Sequence, residues 1–336
     1  MKIAHLCTAH GFGHITRQIA IGESMRKYGC TPTYFCHRPE LLQSISSNTV
    51  QWQIDVGFVQ HDSLQIDIPQ TLLALEKICS EEQITRLAKK LTEFDGAIAD
   101  IPPPGLEACR LTGLPVIATS NFEWPWIYSH YPSLKRWEER FQQYQANHNA
   151  LFLEPGPGLF HFHQIDTGPY VSRPAKPYKL PKTSILLSFG GMGLDKLSKI
   201  LPRIPDVTWV MAPPCPHLER EDILYVEGIP YQDIIAGSDI IFSKAGYGII
   251  SEAMRSGKPL ILVERDSFPE SPYLEKHVEE RGDIIIRCGT SSPHIFKQHL
   301  KEAVMTTLKR PPIPAVPNGV EEVAKYLFEK FKIMDT

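Results

Sequence analysis

Two series of short apolar runs, each alternating with segments of helical period, are separated in this chain by one stretch crowded with proline and glycine. Ile3-Ala-His-Leu-Cys7 reads as a strand, Ile15 to Tyr28 as a helix with Ile15, Ile19, Gly22 and Met25 at three- and four-residue steps, and Thr33-Tyr-Phe-Cys36 as a second strand. Thr71 to Leu91 predicts one long helix, Gly96-Ala-Ile-Ala-Asp100 a buried strand, Gly105 to Thr112 a helix and Pro115-Val-Ile-Ala-Thr119 another strand. Strands separated by helices pair in parallel, with the helices covering both faces. Between about Glu154 and Pro181 the pattern fails, because Pro155, Gly156, Pro157, Gly158, Pro169, Pro174, Pro177 and Pro181 break regular elements. The series resumes with Ser184-Ile-Leu-Leu-Ser188, Thr208-Trp-Val-Met211, Asp239-Ile-Ile-Phe242, Leu260-Ile-Leu-Val263 and Ile284-Ile-Ile286, and closes with helices near 293–308 and 320–331.

The expected fold class is therefore α/β: two doubly wound Rossmann-like domains facing a central cleft. The expected divisions are a first domain at 1–160, a Pro/Gly-rich linker at 161–182, a second domain at 183–317, and a closing helix at 318–336 that could pack back on the first domain. A chain of 336 residues is long enough for two cores. Ligands of such sheets bind outside the carboxyl ends of the strands, so loops at 8–14, 100–104, 120–126, 189–194, 244–248 and 265–272 are expected to line the site.

A net charge of −3 provides no basic field for nucleic acid. The seven cysteines are odd in number and contain no C-x-x-C pair, so neither a disulfide framework nor a thiolate zinc site is indicated and a reducing cytoplasm fits. His10 and Gly11 interrupt the N-terminus before a signal-peptide core can form, and no run of 18 apolar residues occurs. The expectation is a cytoplasmic protein without a transmembrane segment, for which contact with a membrane surface stays open.

Ser243-Lys-Ala-Gly-Tyr-Gly-Ile-Ile-Ser-Glu-Ala253 turns a strand through two glycines into a helix. Gly246 and Gly248 let the backbone approach a ligand, and the first N–H groups of the helix, with its positive dipole end, suit a phosphate. Lys244 and Tyr247 stand in the same turn, and Ser251 with Glu252 adds a hydroxyl and a carboxylate of the kind that holds ribose. A ligand-free glycine turn is the alternative reading. Thr8-Ala-His-Gly-Phe-Gly-His-Ile-Thr-Arg17 repeats the arrangement at the N-terminus with Gly11, Gly13 and His14, but Thr16 stands where a dinucleotide fingerprint needs glycine. A neutral imidazole at His14 can accept a proton as a general base, or it can cap the helix or orient a phosphate. Asp100-Ile-Pro-Pro-Pro104 aims a carboxylate from a strand end, either to orient His14 or to bind acceptor.

Asp62 lies in the acidic stretch Asp55 to Asp67, whose spacing matches no metal loop of known geometry and suits acceptor binding or solvation; no metal site is expected. Asn121, Trp124 and Trp126 fall in an expected binding loop, where aromatic faces suit the C–H surfaces of a sugar. Gly190 and Gly191 supply another turn for phosphate, and Asp266 with Glu270 supplies acceptors for donor-sugar hydroxyls. Neither a G-x-x-x-x-G-K-[ST] loop nor a G-x-S-x-G elbow is present.

Together these residues resemble the GT-B type nucleotide-sugar glycosyltransferases. The order of His10-Gly-Phe-Gly-His-Ile-Thr-Arg17, Asp55-Val-Gly-Phe-Val-Gln60 with Asp62, Asp100 with Pro102, Asn121-Phe with Trp124, Phe189-Gly-Gly191, Gly246-Tyr-Gly248 with Ser251-Glu-Ala253, and Arg265 with Asp266, Phe268, Glu270 and Pro272 is similar to the glycosyltransferase-like N-terminal region of plant L-arabinokinases and its stand-alone bacterial relatives. Asn318-Gly319 with Glu322 and Ala324 resembles that region's closing helix. The kinase portion has no counterpart in these 336 residues, so kinase activity is not carried over.

The resemblance implies transfer of a sugar from a nucleoside diphosphate donor, UDP-linked by preference, to an unidentified hydroxyl acceptor, with no cofactor beyond the donor. The bacterial N-acetylglucosaminyltransferases of peptidoglycan synthesis place a histidine and a ribose-binding glutamate at the positions of His14 and Glu252, but Ser271-Pro272 stands where they read N-acetylglucosamine with two glutamines. Retaining members of the architecture carry a glutamate where Lys244 stands, so inversion is expected. The rival readings are a nucleotide-sugar epimerase or hydrolase on the same fold, and a catalytically silent nucleotide-sugar-binding module.

Overall fold

Both apolar series fold into parallel sheets. The computed structural model describes residues 1–8, 12–37, 48–60, 66–181, 183–189, 201–264, 268–287 and 292–334. One compact unit comprises Met1–Val59, Ile66–Arg173 and Asn318–Thr336, and the other is built on Pro174–Pro317.

The first unit holds strands β1 (Lys2–Cys7), β2 (Thr31–Cys36), β3 (Thr49–Gln51), β4 (Gly96–Asp100), β5 (Val116–Ser120), β6 (Asn149–Leu153) and β7 (Gln164–Gly168), in the order β3-β2-β1-β4-β5-β6-β7. Its helices are α1 (Phe12–Met25), α2 (Ile68–Ile78), α3 (Glu81–Leu91), α4 (Pro103–Thr112), α5 (Trp124–Ser129) and α6 (Lys135–Gln145). The second unit holds β8 (Ser184–Ser188), β9 (Thr208–Met211), β10 (Ile223–Tyr225), β11 (Ile240–Lys244), β12 (Leu260–Val263) and β13 (Ile284–Ile286), in the order β10-β9-β8-β11-β12-β13. Its described helices are α7 (Tyr231–Gly237), α8 (Tyr247–Ser256), α9 (Ser271–Glu280) and α10 (Pro293–Thr307); α11 (Val320–Met334) belongs to the first unit.

Every strand pair is parallel. The expected α/β class with two doubly wound sheets is borne out. Strands β4, β5, β8 and β12 are buried along their whole length. Helices cover such strands on both sides, which is why they read as unbroken apolar runs.

The long helix expected over Thr71 to Leu91 is two helices. Ser80 caps α3 by accepting from the Gln83 N–H at 3.4 Å, and Glu81 and Glu82 complement its positive end. The proline-rich stretch is also not wholly irregular, since Gln164–Gly168 forms β7 on β6. Its prolines flank the strand, and an edge strand donates to only one neighbour.

Helix α11 is held by a sequence device and by packing. Asn318 donates to the Ser172 carbonyl at 2.8 Å, and a Cβ on Gly319 would run into the Pro169 ring. Val320, Val323, Ala324, Leu327 and Phe331 then form one apolar stripe against Ile3, Ala20, Ile21 and Met25. Gly96 lacks the Cβ that would stand 2.9 Å from the Phe331 ring. The core of the second unit gathers around Phe189, Trp209, Phe242 and Phe296.

Candidate functional site

A doubly wound sheet binds ligands where its strand order reverses, because the helices leaving the two central strands diverge to opposite faces there. In the first sheet that point lies between β1 and β4, where Cys7 pairs in register with Asp100. In the second it lies between β8 and β11, where Ser188 pairs with Ser243. The segments singled out in the sequence begin at these two points.

At the first, α1 presents His14, Arg17 and Gln18 on one face, at steps of three and four residues. Asp100 is fully buried and faces all three. His14 Nδ1 lies 2.8 Å from Asp100 Oδ1. Arg17 donates through Nη2 to Oδ1 at 2.7 Å and through Nε to Oδ2 at 2.9 Å, and Gln18 Nε2 donates to Oδ2 at 3.2 Å. Burial alone raises this carboxyl, but the charges of Arg17 and His14 and their hydrogen bonds outweigh it and hold the pKa at about 2.

An ionised carboxylate has no proton to donate, so the hydrogen between the two groups belongs on His14 Nδ1, and in the neutral form of the imidazole the lone pair is on Nε2. Arg17 Nη2, 3.3 Å from the same Nδ1, is then a neighbour and not its donor. The edge of Phe122 stands against the imidazole at 5.6 Å between centroids. Behind these groups, Gln18 Nε2 also donates to Thr119 Oγ1 at 2.8 Å, so its Oε1 accepts from His5 Nδ1 at 2.9 Å. Burial lowers the His5 pKa to about 4. Directly after Asp100, the β-branched Ile101 is held at φ 59°. A left-handed backbone of this kind costs about 1–3 kcal/mol and is found where a turn must aim a side chain.

At the second point, Gly246 opens α8 with extended backbone, φ −170°, and no side chain caps the helix. That backbone needs no glycine, and among the described residues a Cβ there would meet nothing within 4 Å. A helix that starts without a side-chain cap at its first position is a place where an anion can be bound. Lys244 ends β11 half-buried, Tyr247 and Ser251 are buried, and Gly248 and Glu252 are half-buried on the same helix. Ser243 donates to the Ser188 carbonyl, and Tyr231 donates to Ser188 Oγ at 2.7 Å.

The structure brings His14 and Asp100 into contact and places Gly13 in the same first turn of α1. Asn121 is buried and committed to Arg17 and the Leu153 carbonyl, which makes it a support for Arg17 and leaves no face for an acceptor. Trp124 is a correction. It is 1% exposed and packs edge-to-face on Phe58 and Phe122, so its ring is core, and the half-buried aromatic of that helix is Trp126. Glu270 is a buried residue at the start of α9. Gly11, Asp62, Gly190, Gly191 and Asp266 lie outside the described residues. Sequence reasoning gave no role to Gln18, Arg17 or Tyr231. The spacing of the first two from His14 was a usable signal; Tyr231 had none beyond opening the helix before β11. Among the described residues no three His, Cys, Asp or Glu side chains cluster as a metal would need, and no helix is long and apolar enough to cross a membrane.

Two parallel sheets, each with polar groups at its switch point, define a double Rossmann-like architecture. The comparisons place it as the GT-B fold. The glycotransferase of kitacinnamycin matches with a TM-score of 0.65 and 16% identity, over 99% of this chain and 95% of that one. Arabidopsis thaliana UGT89C1, solved with UDP, matches with a TM-score of 0.63 and 11% identity, over 98% and 99%. In sequence the chain is 27% identical to the L-arabinokinase of Arabidopsis thaliana over 314 residues, 83% of this chain and 30% of that protein. The chain thus spans under a third of that relative's length. No protein-family model matches. The resemblances drawn from the motifs, to GT-B glycosyltransferases and to L-arabinokinase, are both met.

Proposed function

We propose that this chain is a glycosyltransferase that moves a sugar from a nucleoside diphosphate donor, UDP-linked, to a hydroxyl acceptor with inversion at the anomeric carbon. The observation that carries the reading is the 2.8 Å contact between Asp100 and His14 Nδ1, which leaves Nε2 as a base. In the reaction Nε2 takes the acceptor hydroxyl's proton, the freed oxygen bonds to the anomeric carbon, and the bond from that carbon to the diphosphate breaks with its electrons on the phosphate oxygen. Asp100 stabilises the imidazolium so formed. Proton transfer of this kind contributes about 10²–10⁴ in rate.

The second unit serves the donor. The amides opening α8 and Lys244 stabilise the diphosphate as it leaves, and Ser251 and Glu252 take ribose hydroxyls. A lysine at 244 offers no carboxylate to form a covalent glycosyl intermediate, which supports a single displacement. Structures of the same fold solved with UDP and with dTDP support a pyrimidine nucleoside diphosphate as the donor's leaving group. A module that only sensed a nucleotide sugar would have no use for a carboxylate that fixes a histidine tautomer.

His14→Ala should abolish transfer while UDP affinity in calorimetry stays within about twofold; unchanged turnover would remove His14 as the base. Glu252→Ala should weaken UDP binding, and equal affinity would remove the ribose assignment. A thermal-shift panel of UDP-, GDP-, ADP- and dTDP-sugars identifies the donor, since a ligand of the native state raises its melting temperature. Donor consumption without any acceptor would favour a hydrolase or an epimerase.

A further inference from the structure

The first unit carries a second carboxylate–imidazole pair that the proposed reaction does not use. Glu123 lies three residues beyond β5 and is fully buried. Its Oε2 accepts the His161 backbone N–H at 3.0 Å, and its Oε1 meets His161 Nδ1. Burial raises the Glu123 carboxyl, and the hydrogen bonds from the His161 and Phe160 backbone and the His161 ring work against that rise. His161 itself leaves 37% of its side chain exposed. With Nδ1 turned to a buried acceptor, the neutral ring keeps its lone pair on Nε2. A buried carboxyl serving one surface imidazole at both backbone and ring is costly as decoration, because desolvating it is compensated only by those bonds.

Two aromatic rings lie close to each other next to this pair in the chain. Phe160, the residue before His161, is 53% exposed, and Trp126 lies with its centroid 6.5 Å away at an interplanar angle of 41°. The turn that presents Phe160 is fixed by Gly158, at φ 108°, whose N–H donates to the Asn121 carbonyl at 3.3 Å. One backbone segment therefore serves both imidazoles: Asn121 holds Arg17, Phe122 abuts His14 and Glu123 holds His161.

We propose that His161, held by Glu123, forms with the adjoining Phe160 and the Trp126 ring beside it a recognition site for a sugar ring, so that the acceptor is a saccharide. This rests on the glycosyltransferase reading above. Aromatic faces take the apolar C–H surface of a pyranose or furanose, and an imidazole acceptor takes a hydroxyl hydrogen. Two rings are too small an apolar area for a lipid tail.

The test is saturation-transfer NMR on the full chain without nucleotide, using a panel of methyl pentosides and methyl hexosides, with inorganic phosphate and 1-hexanol as controls. The expected result is saturable transfer to the ring C–H protons of at least one glycoside, weakened tenfold or more in both Phe160→Ala and His161→Ala, with the thermal shift on UDP unchanged in each. Phe160 is exposed, so its variant folds. No signal from any glycoside, a signal that survives both variants, or displacement by phosphate or hexanol would each overturn the proposal. If the glycosides fail while the UDP shift persists, the saccharide site falls and the donor reading stands. If the glycosides bind and no nucleotide shifts the melting temperature, the donor reading falls and the sugar site stands.

Discussion

The two units use one geometry, a central strand turning into a helix at the switch point of a parallel sheet, in opposite ways. In the first, the turn is filled by side chains: Asp100 is fully buried and engages His14, Arg17 and Gln18 at 2.7–3.2 Å. In the second, Ser243 and Tyr231 bond to Ser188, and α8 opens on a glycine that supplies no side-chain cap and whose added Cβ would meet no described residue within 4 Å. The difference separates two kinds of chemistry. Moving a proton needs a titratable group whose tautomer is fixed beforehand, and that requires a dense buried network. Holding a diphosphate needs amides that nothing else satisfies. The contrast makes the first turn a point of stability and the second a point of affinity, and substitutions should divide accordingly.

The largest effect is expected at Asp100. Asp100→Ala leaves the Arg17 guanidinium, itself 8% exposed, without its carboxylate. Breaking a buried pair in this way costs about 3–5 kcal/mol, read as a lowered urea midpoint. Asp100→Asn keeps the shape, and its amide can donate to Nδ1 and favour the wrong tautomer; turnover should fall by about 10²–10⁴ at a smaller cost in stability. A variant that kept wild-type turnover would show that the network is only structural.

Acid should dismantle the first unit's network in two windows. His5 has a pKa of about 4 in the folded state against 6.5 ordinarily, so the unfolded chain binds the extra proton first and stability falls as pH drops from about 6.5 to 4. Asp100, at about 2 against 3.8, contributes stability above pH 4 that is lost between about 4 and 2. The steps are on the order of 3 and 2 kcal/mol. His5→Leu should shrink the upper step, leaving the part that His148, also lowered by burial, contributes, and keep the lower step, which urea unfolding at a series of pH values would show; an unchanged upper step would exclude His5 as its source.

What the sequence disclosed follows from how local each signal is. Strands buried on both faces appear as apolar runs, and a glycine turn between strand and helix is contiguous, so the sheets, Gly246 and the His14 turn were legible. Arg17 and Gln18 were half-legible: their spacing from His14 puts them on one helix face, but their common partner lies 83 and 82 residues away. Trp124 and Trp126 look alike in sequence, yet two residues along a helix turn them to nearly opposite sides, and only the fold says which side is core. Strand β7, with Gln164, Asp166 and Gly168, has the polar composition of an edge and gave no apolar run. The Glu123–His161 pair spans 38 residues between two loops and carries no periodic signal.

Two glycines provide the finest test of the contrast between the units. Gly22 sits inside α1, where a Cβ would run into the Tyr34 hydroxyl and stand 3.1 Å from His5 Nε2. Overpacking of this kind costs about 1–3 kcal/mol, so Gly22→Ala should lower the melting temperature and leave UDP affinity alone. Gly246→Ala should do the reverse. Its backbone suits any residue and no described residue lies within 4 Å of the added Cβ, so stability should stay within about 0.5 kcal/mol of wild type. The new methyl group would stand between the α8 amides and a diphosphate, and UDP should bind roughly tenfold more weakly, about 1.4 kcal/mol. Calorimetry with UDP on both variants decides the matter. If Gly246→Ala binds UDP like the wild type, the diphosphate does not rest on that helix start. The absent Cβ would then need another reason, and the division between a chemical unit and a binding unit would lose its second half.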